Sequence, residues 1–181
     1  MIASPSKTLG PSTNSKQQSL APDGEAFPLP KPEDYAAEYA RLEQLAGEAR
    51  ANGQEIVVVM GVGFVGAVMA AIVADCEDAA GRPSKFVIGC QRPSTRSYWK
   101  IPLLNRGTSP VKAEDPEVDV MIARCVKAKR TLVATYNSDC LSLADVVVVD
   151  VQCDYTKHAL GDMRDGQAEM SALEATMRTI G

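Results

Sequence analysis

The sequence predicts an α/β fold, a mainly parallel sheet with helices on its faces. Short runs of β-branched residues without polar alternation occur at 55–60, 85–90, 131–135 and 146–151, the pattern of strands covered on both sides. Segments with helical character lie between them, and a glycine-rich turn follows the first run directly.

Residues 1–30 are rich in Ser, Pro, Gly, Lys and Gln, a composition that buries too little apolar surface to offset the entropy of ordering, so a flexible tail is expected. Across 31–53, Tyr35, Tyr39, Leu42, Leu45 and Ala49 recur at three- and four-residue steps before Asn52-Gly53, which predicts an amphipathic helix lying against the main domain; docking of a partner is its alternative use. The main domain runs over 54–181. Glu55-Ile-Val-Val-Val-Met60 reads as the first strand, 67–80 as a buried Ala- and Val-rich helix closed by Gly81-Arg82-Pro83, and 85–90 as the second strand. Short helices are expected at 97–105 and 138–144 and a longer one at 116–129, with strands at 131–135 and 146–151. Ser171-Ala-Leu-Glu174 matches a capping box opening a helix to about residue 180. A doubly wound sheet calls for a further strand beyond Gly181, so an incomplete domain with exposed apolar edge and a tendency to pair is expected.

Composition narrows the function. The 181 residues are 45% hydrophobic and 23% charged, enough apolar material for a real core. Nineteen Lys and Arg against 23 Asp and Glu give a net charge of −4, which favours neither nucleic acid nor an anionic membrane. No stretch reaches the roughly 18 to 20 apolar residues that span a bilayer, and no signal peptide is visible, so a soluble cytoplasmic protein is expected. Cys76, Cys90, Cys125, Cys140 and Cys153 are odd in number and never form C-x-x-C, which argues for reduced thiols and against a zinc site. His158 is the sole histidine and reads as an exposed bystander.

Gly61-Val62-Gly63-Phe64-Val65-Gly66 carries the chemistry. In a strand–turn–helix setting the first glycine permits the tight turn, the second lets backbone approach a pyrophosphate, and the third allows close helix–strand packing. Free amides at the start of the helix then receive the phosphates. This is a Rossmann-type dinucleotide site. An acid normally accepts from the adenosine ribose at the tip of the second strand, about 20 residues on. Here the tip reads Gly89-Cys90-Gln91-Arg92, and Gln91 with Arg92 or Arg96 admits NADP as well as NAD.

Beyond the glycines, Leu104-Asn-Arg-Gly-Thr-Ser-Pro110, Glu114-Asp-Pro116, Leu132-Val-Ala-Thr135, Ala144-Asp-Val-Val-Val-Val149 and Ala168-Glu-Met-Ser171 occur in an ordered series. From Glu55 to Gly181 the chain resembles the N-terminal part of the UDP-glucose/GDP-mannose dehydrogenase family. The resemblance implies oxidation of the C6 hydroxyl of a nucleotide-activated hexose to a carboxylate, by two hydride transfers to NAD and through a thioester on a cysteine, in polysaccharide biosynthesis. It further implies that residues 61–66 cradle the pyrophosphate, that Arg96 reaches the adenosine side, and that Thr135 lines the groove. Cys153 stands where the family commonly has a cofactor-binding threonine, and Gln91 where it has the ribose-binding Asp. The family's catalytic Gly-Gly-x-Cys-x-Pro-Lys-Asp segment and catalytic lysine are not in this sequence, so the chain by itself is expected to bind cofactor without turnover. A nucleotide-binding sensor or scaffold is the alternative.

Overall fold

A computed structural model of the chain describes residues 17–157, 161 and 166–180, so His158 lies outside the described residues. Two short strands, β1 (Gln18–Leu20) and β2 (Ala26–Pro28), pair antiparallel, followed by helix α1 (Asp34–Ala51). Then come β3 (Glu55–Met60), α2 (Phe64–Ala74), β4 (Lys85–Cys90) and α3 (Lys100–Asn105). Helix α4 (Glu117–Ala123) continues as a π-helix over Arg124–Lys129 into β5 (Leu132–Thr135). A 3₁₀ segment, Ser138–Leu143, leads to β6 (Val146–Val149). A small antiparallel pair, β7 (Asp154–Thr156) and β8 (Gln167–Glu169), precedes α5 (Ser171–Ile180).

The main sheet is parallel throughout, in the order β5-β4-β3-β6. Period-two alternation sends its strand residues into two separate cores. Val57, Val59 and Val87 face α2, which presents Ala67, Ala70, Ala71 and Ala74 along one stripe and therefore lies close to the sheet. Ile56, Val58 and Ile88 face the other way, where Leu42, Ala46 and Ala49 of α1 cover them. The apolar stripe of α1 is thus buried on the sheet and is not a free docking surface. Asn52 closes this helix and Gly53 turns the chain at φ +80°, as the sequence predicts. Arg50 then donates to Leu143 O at 2.7 Å and Asp145 Oδ1 at 2.9 Å, while Asp145 Oδ2 accepts from Ile56 N at 2.8 Å. These bonds clip α1, the 3₁₀ segment and β3 together.

Several expectations need correction. Residues 18–28 are an ordered hairpin rather than a flexible tail; residues 1–16 lie outside the described ones. The hairpin docks because Ser19 and Phe27 are buried, Ser19 Oγ accepts from Trp99 N at 3.1 Å, and Arg106 both bonds Glu25 and rests 5.2 Å from the Phe27 ring centroid. Helix α2 spans 64–74 rather than 67–80. It stops because Asp75 turns to Arg124 and Lys129, and Asp78 accepts from the amides of Ala80 and Arg82 to form a turn. At α5 the carboxylate that caps Ser171 N belongs to Glu169, at 3.0 Å, not to Glu174. Cys76 and Cys153 are exposed, whereas Cys90, Cys125 and Cys140 are buried. Among the described residues no helix is long and apolar enough to cross a membrane. Strand β6 is an edge, and Val146 on it is exposed.

The glycine turn fixes where α2 begins. Gly61 adopts φ +97°, and a β-carbon there would overlap Asp150 O; one at Gly66 would overlap Gly61 O and lie 2.6 Å from Asp150 Oδ2. Gly66→Ala is therefore expected to cost at least about 3 kcal/mol, because the obstruction is backbone and not a movable side chain; urea unfolding of the variant measures it. Acid sensitivity has a separate source. Hydrogen bonds from Arg124 and then Lys129, against some desolvation, hold the Asp75 carboxyl well below the usual range. A depressed native pKa gives stability that is complete above the unfolded value, about 4, and lost as pH falls toward the native one. Asp75→Asn is expected to flatten the low-pH limb of a stability-against-pH curve while leaving its shape above about pH 5 unchanged.

Candidate functional site

At the carboxyl ends of β3, β4 and β6 lies a cavity of about 710 Å³. Its floor is Met60, Gly61 and Cys90, and Gly63 lines it at the start of α2. A β-carbon at Gly63 would meet nothing within 4 Å, so this glycine faces open space, unlike Gly61 and Gly66. Among the described residues the amides of Gly63, Phe64, Val65 and Gly66 donate no hydrogen bond; the first helical bond runs from Ala67 N to Gly63 O at 3.1 Å. Unused donors, the helix dipole and a clear approach coincide at one point, which suits a diphosphate. The side chains of Phe64 and Val65 project to solvent, 63% and 54% exposed, and neither lines the cavity. Val62 is wholly buried and packs where Gly89 leaves room for it.

At the tip of β4 the Gln91 Oε1 atom accepts from Val62 N at 3.1 Å, and its own N–H is bonded to Thr135 O at 2.9 Å. Gln91 therefore joins the second strand to the glycine turn. Arg92 is exposed and lines the cavity. Arg96 is exposed but lines no part of it; its carbonyl accepts from Trp99 Nε1 at 2.9 Å.

Two other expected contacts are not in place. Thr135 is completely buried, its hydroxyl donates to Glu38 Oε1 at 2.7 Å and accepts from Asn137 N at 3.1 Å, so it anchors α1 and does not line the groove. Cys153 is exposed outside the lining, with Sγ directed at Val151 O. Cys90 does reach the floor, but it is buried with its thiol directed at Asn137 O at 4.0 Å, and the neighbouring Cys90 thiol together with burial pushes Cys140 well above the usual thiol range.

The structure adds residues that the sequence did not single out. Tyr35 of α1 and Tyr136 after β5 form an aromatic wall, their rings meeting edge to face at 5.1 Å. Burial first and Glu38 second push the Tyr136 hydroxyl up to about 12, so it stays protonated and donates to Asp34 O at 3.3 Å. Lys100 lines the cavity, as Arg92 does. Asp150 enters from the end of β6, beside the first turn of α2. An acid directly after four valines at the carboxyl end of a strand was a visible signal for it. Ala172, Ala175, Thr176 and Thr179 of α5 form the remaining wall with small side chains.

Within the Leu104–Pro110 segment, Asn105 has a structural part. Asn105 Nδ2 donates to Ala134 O at 2.9 Å and its Oδ1 accepts from Ala134 N at 2.7 Å, satisfying the open edge of β5 as a neighbouring strand would.

No protein-family model matches the chain, and neither does any curated protein. Solved structures do. The chain is similar to an NDP-N-acetyl-D-galactosaminuronic acid dehydrogenase from Methanosarcina mazei, at 31% identity and a TM-score of 0.59 over 77% of this chain and 26% of that one. A GDP-mannose dehydrogenase from Pseudomonas aeruginosa matches at 24% identity and a TM-score of 0.51, over 68% of this chain and 24% of that one. A UDP-glucose dehydrogenase from Pyrobaculum islandicum matches at 19% identity and 0.51, over 70% and 25%. These last two likenesses speak to fold alone. The chain spans about a quarter of the length of each, and in fold, and in sequence with the first, it is similar to these nucleotide-sugar dehydrogenases.

Proposed function

We propose that this chain is the nicotinamide-dinucleotide-binding part of an enzyme that oxidises C6 of a UDP- or GDP-hexose to a uronate. The observation that carries the reading is the set of unbonded amides from Gly63 to Gly66, opening on a cavity at the carboxyl edge of a parallel sheet. The residues fit the cofactor: Gly63 leaves space for a diphosphate, Gln91 sits at the ribose position, and Tyr35 with Tyr136 offers apolar faces for a base. When bound, the nicotinamide supplies the hydride acceptor. The protein's part is to hold the diphosphate and place the ring. The reading puts the enzyme in the cytoplasm, supplying a uronic acid for a polysaccharide or glycoconjugate, with the nucleotide sugar held by sequence outside this chain. By itself the chain binds dinucleotide and turns nothing over.

Calorimetric titration with NAD and NADP tests this directly. Saturable binding of at least one by the folded chain is expected, and heat from neither sinks the assignment. Gly63→Ala is expected to leave the unfolding midpoint nearly unchanged, because its β-carbon meets nothing, yet to weaken dinucleotide binding about tenfold or more by filling the phosphate approach. Asp150→Asn is expected to strengthen binding several-fold by removing a negative charge beside the diphosphate, with a larger gain at low salt than at high salt.

A further inference from the structure

The adenosine end of the groove has the donors and charges of a phosphate site rather than a hydroxyl site. A ribose with free 2′- and 3′-hydroxyls is held in this fold by a carboxylate that accepts from both. No acid occurs anywhere from Gln91 to Lys100, and the one side-chain oxygen at the tip, Gln91 Oε1, is already occupied by Val62 N. The Gln91 amide NH₂ donates one of its two N–H bonds to Arg92 O at 3.5 Å, which leaves the other for a ligand.

Two cations line this cavity together with Gln91, namely Arg92, its neighbour in sequence, and Lys100, and among the described residues neither makes an ion pair. The backbone that carries Arg92 is fixed, and the Lys100 side chain has an aromatic neighbour. Ser97 Oγ donates to Arg92 O at 3.1 Å and bonds Ser94 Oγ at 2.7 Å, closing the turn that carries Arg92. Lys100 Nζ lies 5.9 Å from the Trp99 ring centroid. Among the described residues Asp150 is the only carboxylate in the lining, and it lies beside Gly66 at the glycine turn.

We propose that the groove selects a dinucleotide bearing a phosphate monoester on its adenosine ribose, with Arg92 and Lys100 pairing to that phosphate and the Gln91 amide donating to it. The proposal rests on the dinucleotide reading above and deepens it. It replaces Arg96, which lines no part of the cavity, by Lys100 as the second cation. An arginine fork supplies paired charge-assisted hydrogen bonds to a phosphate, and a lysine adds a point charge.

The test uses the chain itself, with NADP, NAD, 2′-phospho-ADP-ribose and ADP-ribose as titrants. NADP is expected to bind at least about tenfold tighter than NAD, with the same order for the two ADP-ribose compounds. Arg92→Ala and Lys100→Ala should each weaken NADP about fivefold or more while moving NAD less than about twofold. Lys112→Ala, which removes an exposed charge elsewhere, should move neither. Gln91→Asp should invert the preference toward NAD. Equal or tighter binding of NAD by the unaltered chain overturns the proposal and leaves the dinucleotide reading intact, as do losses at Arg92 and Lys100 that are equal for the two cofactors. Binding of no titrant by a folded sample overturns both.

Discussion

The architecture depends on one close approach, the crossing of the first turn of α2 over the ends of β3 and β6. Neither Gly61 nor Gly66 has room for a single carbon beyond the backbone, and the atoms in the way are main-chain atoms of Asp150 and Gly61. Because a main chain cannot swing aside as a side chain can, this contact sets the height and direction of the helix. The exposed amides of that helix consequently open at the sheet's carboxyl edge, where they are useful to an anion. Gly63 lies between the two crowded glycines in open space, so the three positions divide between packing and access.

Around that contact the sheet is covered unequally. One face carries a stripe of alanines from α2, reinforced by α3 and α4, and small side chains bring this layer near the strands. The other is roofed by α1, a helix that precedes the first parallel strand, together with the 3₁₀ segment. The β5 edge is finished by the side-chain amide of Asn105, whereas β6 keeps an open side with an exposed valine. Among the described residues the sheet therefore has one edge met by side-chain hydrogen bonds and one with no strand paired to it.

The parts readable from sequence were those set by local chemistry. Valine-rich runs without alternation gave the strands, glycine spacing located the turn from β3 into α2, and Asn52-Gly53 marked the end of α1, since each depends on residues adjacent in the chain. The hairpin at 18–28 escaped notice because two short strands gain stability only by docking, through Ser19 to Trp99 and Glu25 to Arg106, and that is information from 80 residues away. Thr135 was misplaced for a related reason. Position on a strand indicates which end of the sheet a side chain is near, but the choice between the groove and Glu38 belongs to α1. Lys100 was missed because the turned segment before α3 brings it back toward the β4 tip, a curvature with no periodic signature.

Helix α1 reaches past its own layer. Glu38 grips the hydroxyl beneath the groove, and Tyr35 stands in the groove's wall. Seating this helix and filling the cavity are thus coupled equilibria. Any occupant touching Tyr35 favours the seated state, and by reciprocity a weakened seat lowers affinity by the same factor. Natural variation along the buried side of α1, far from any phosphate, is a route by which ligand strength can drift without change to a single residue of the glycine turn.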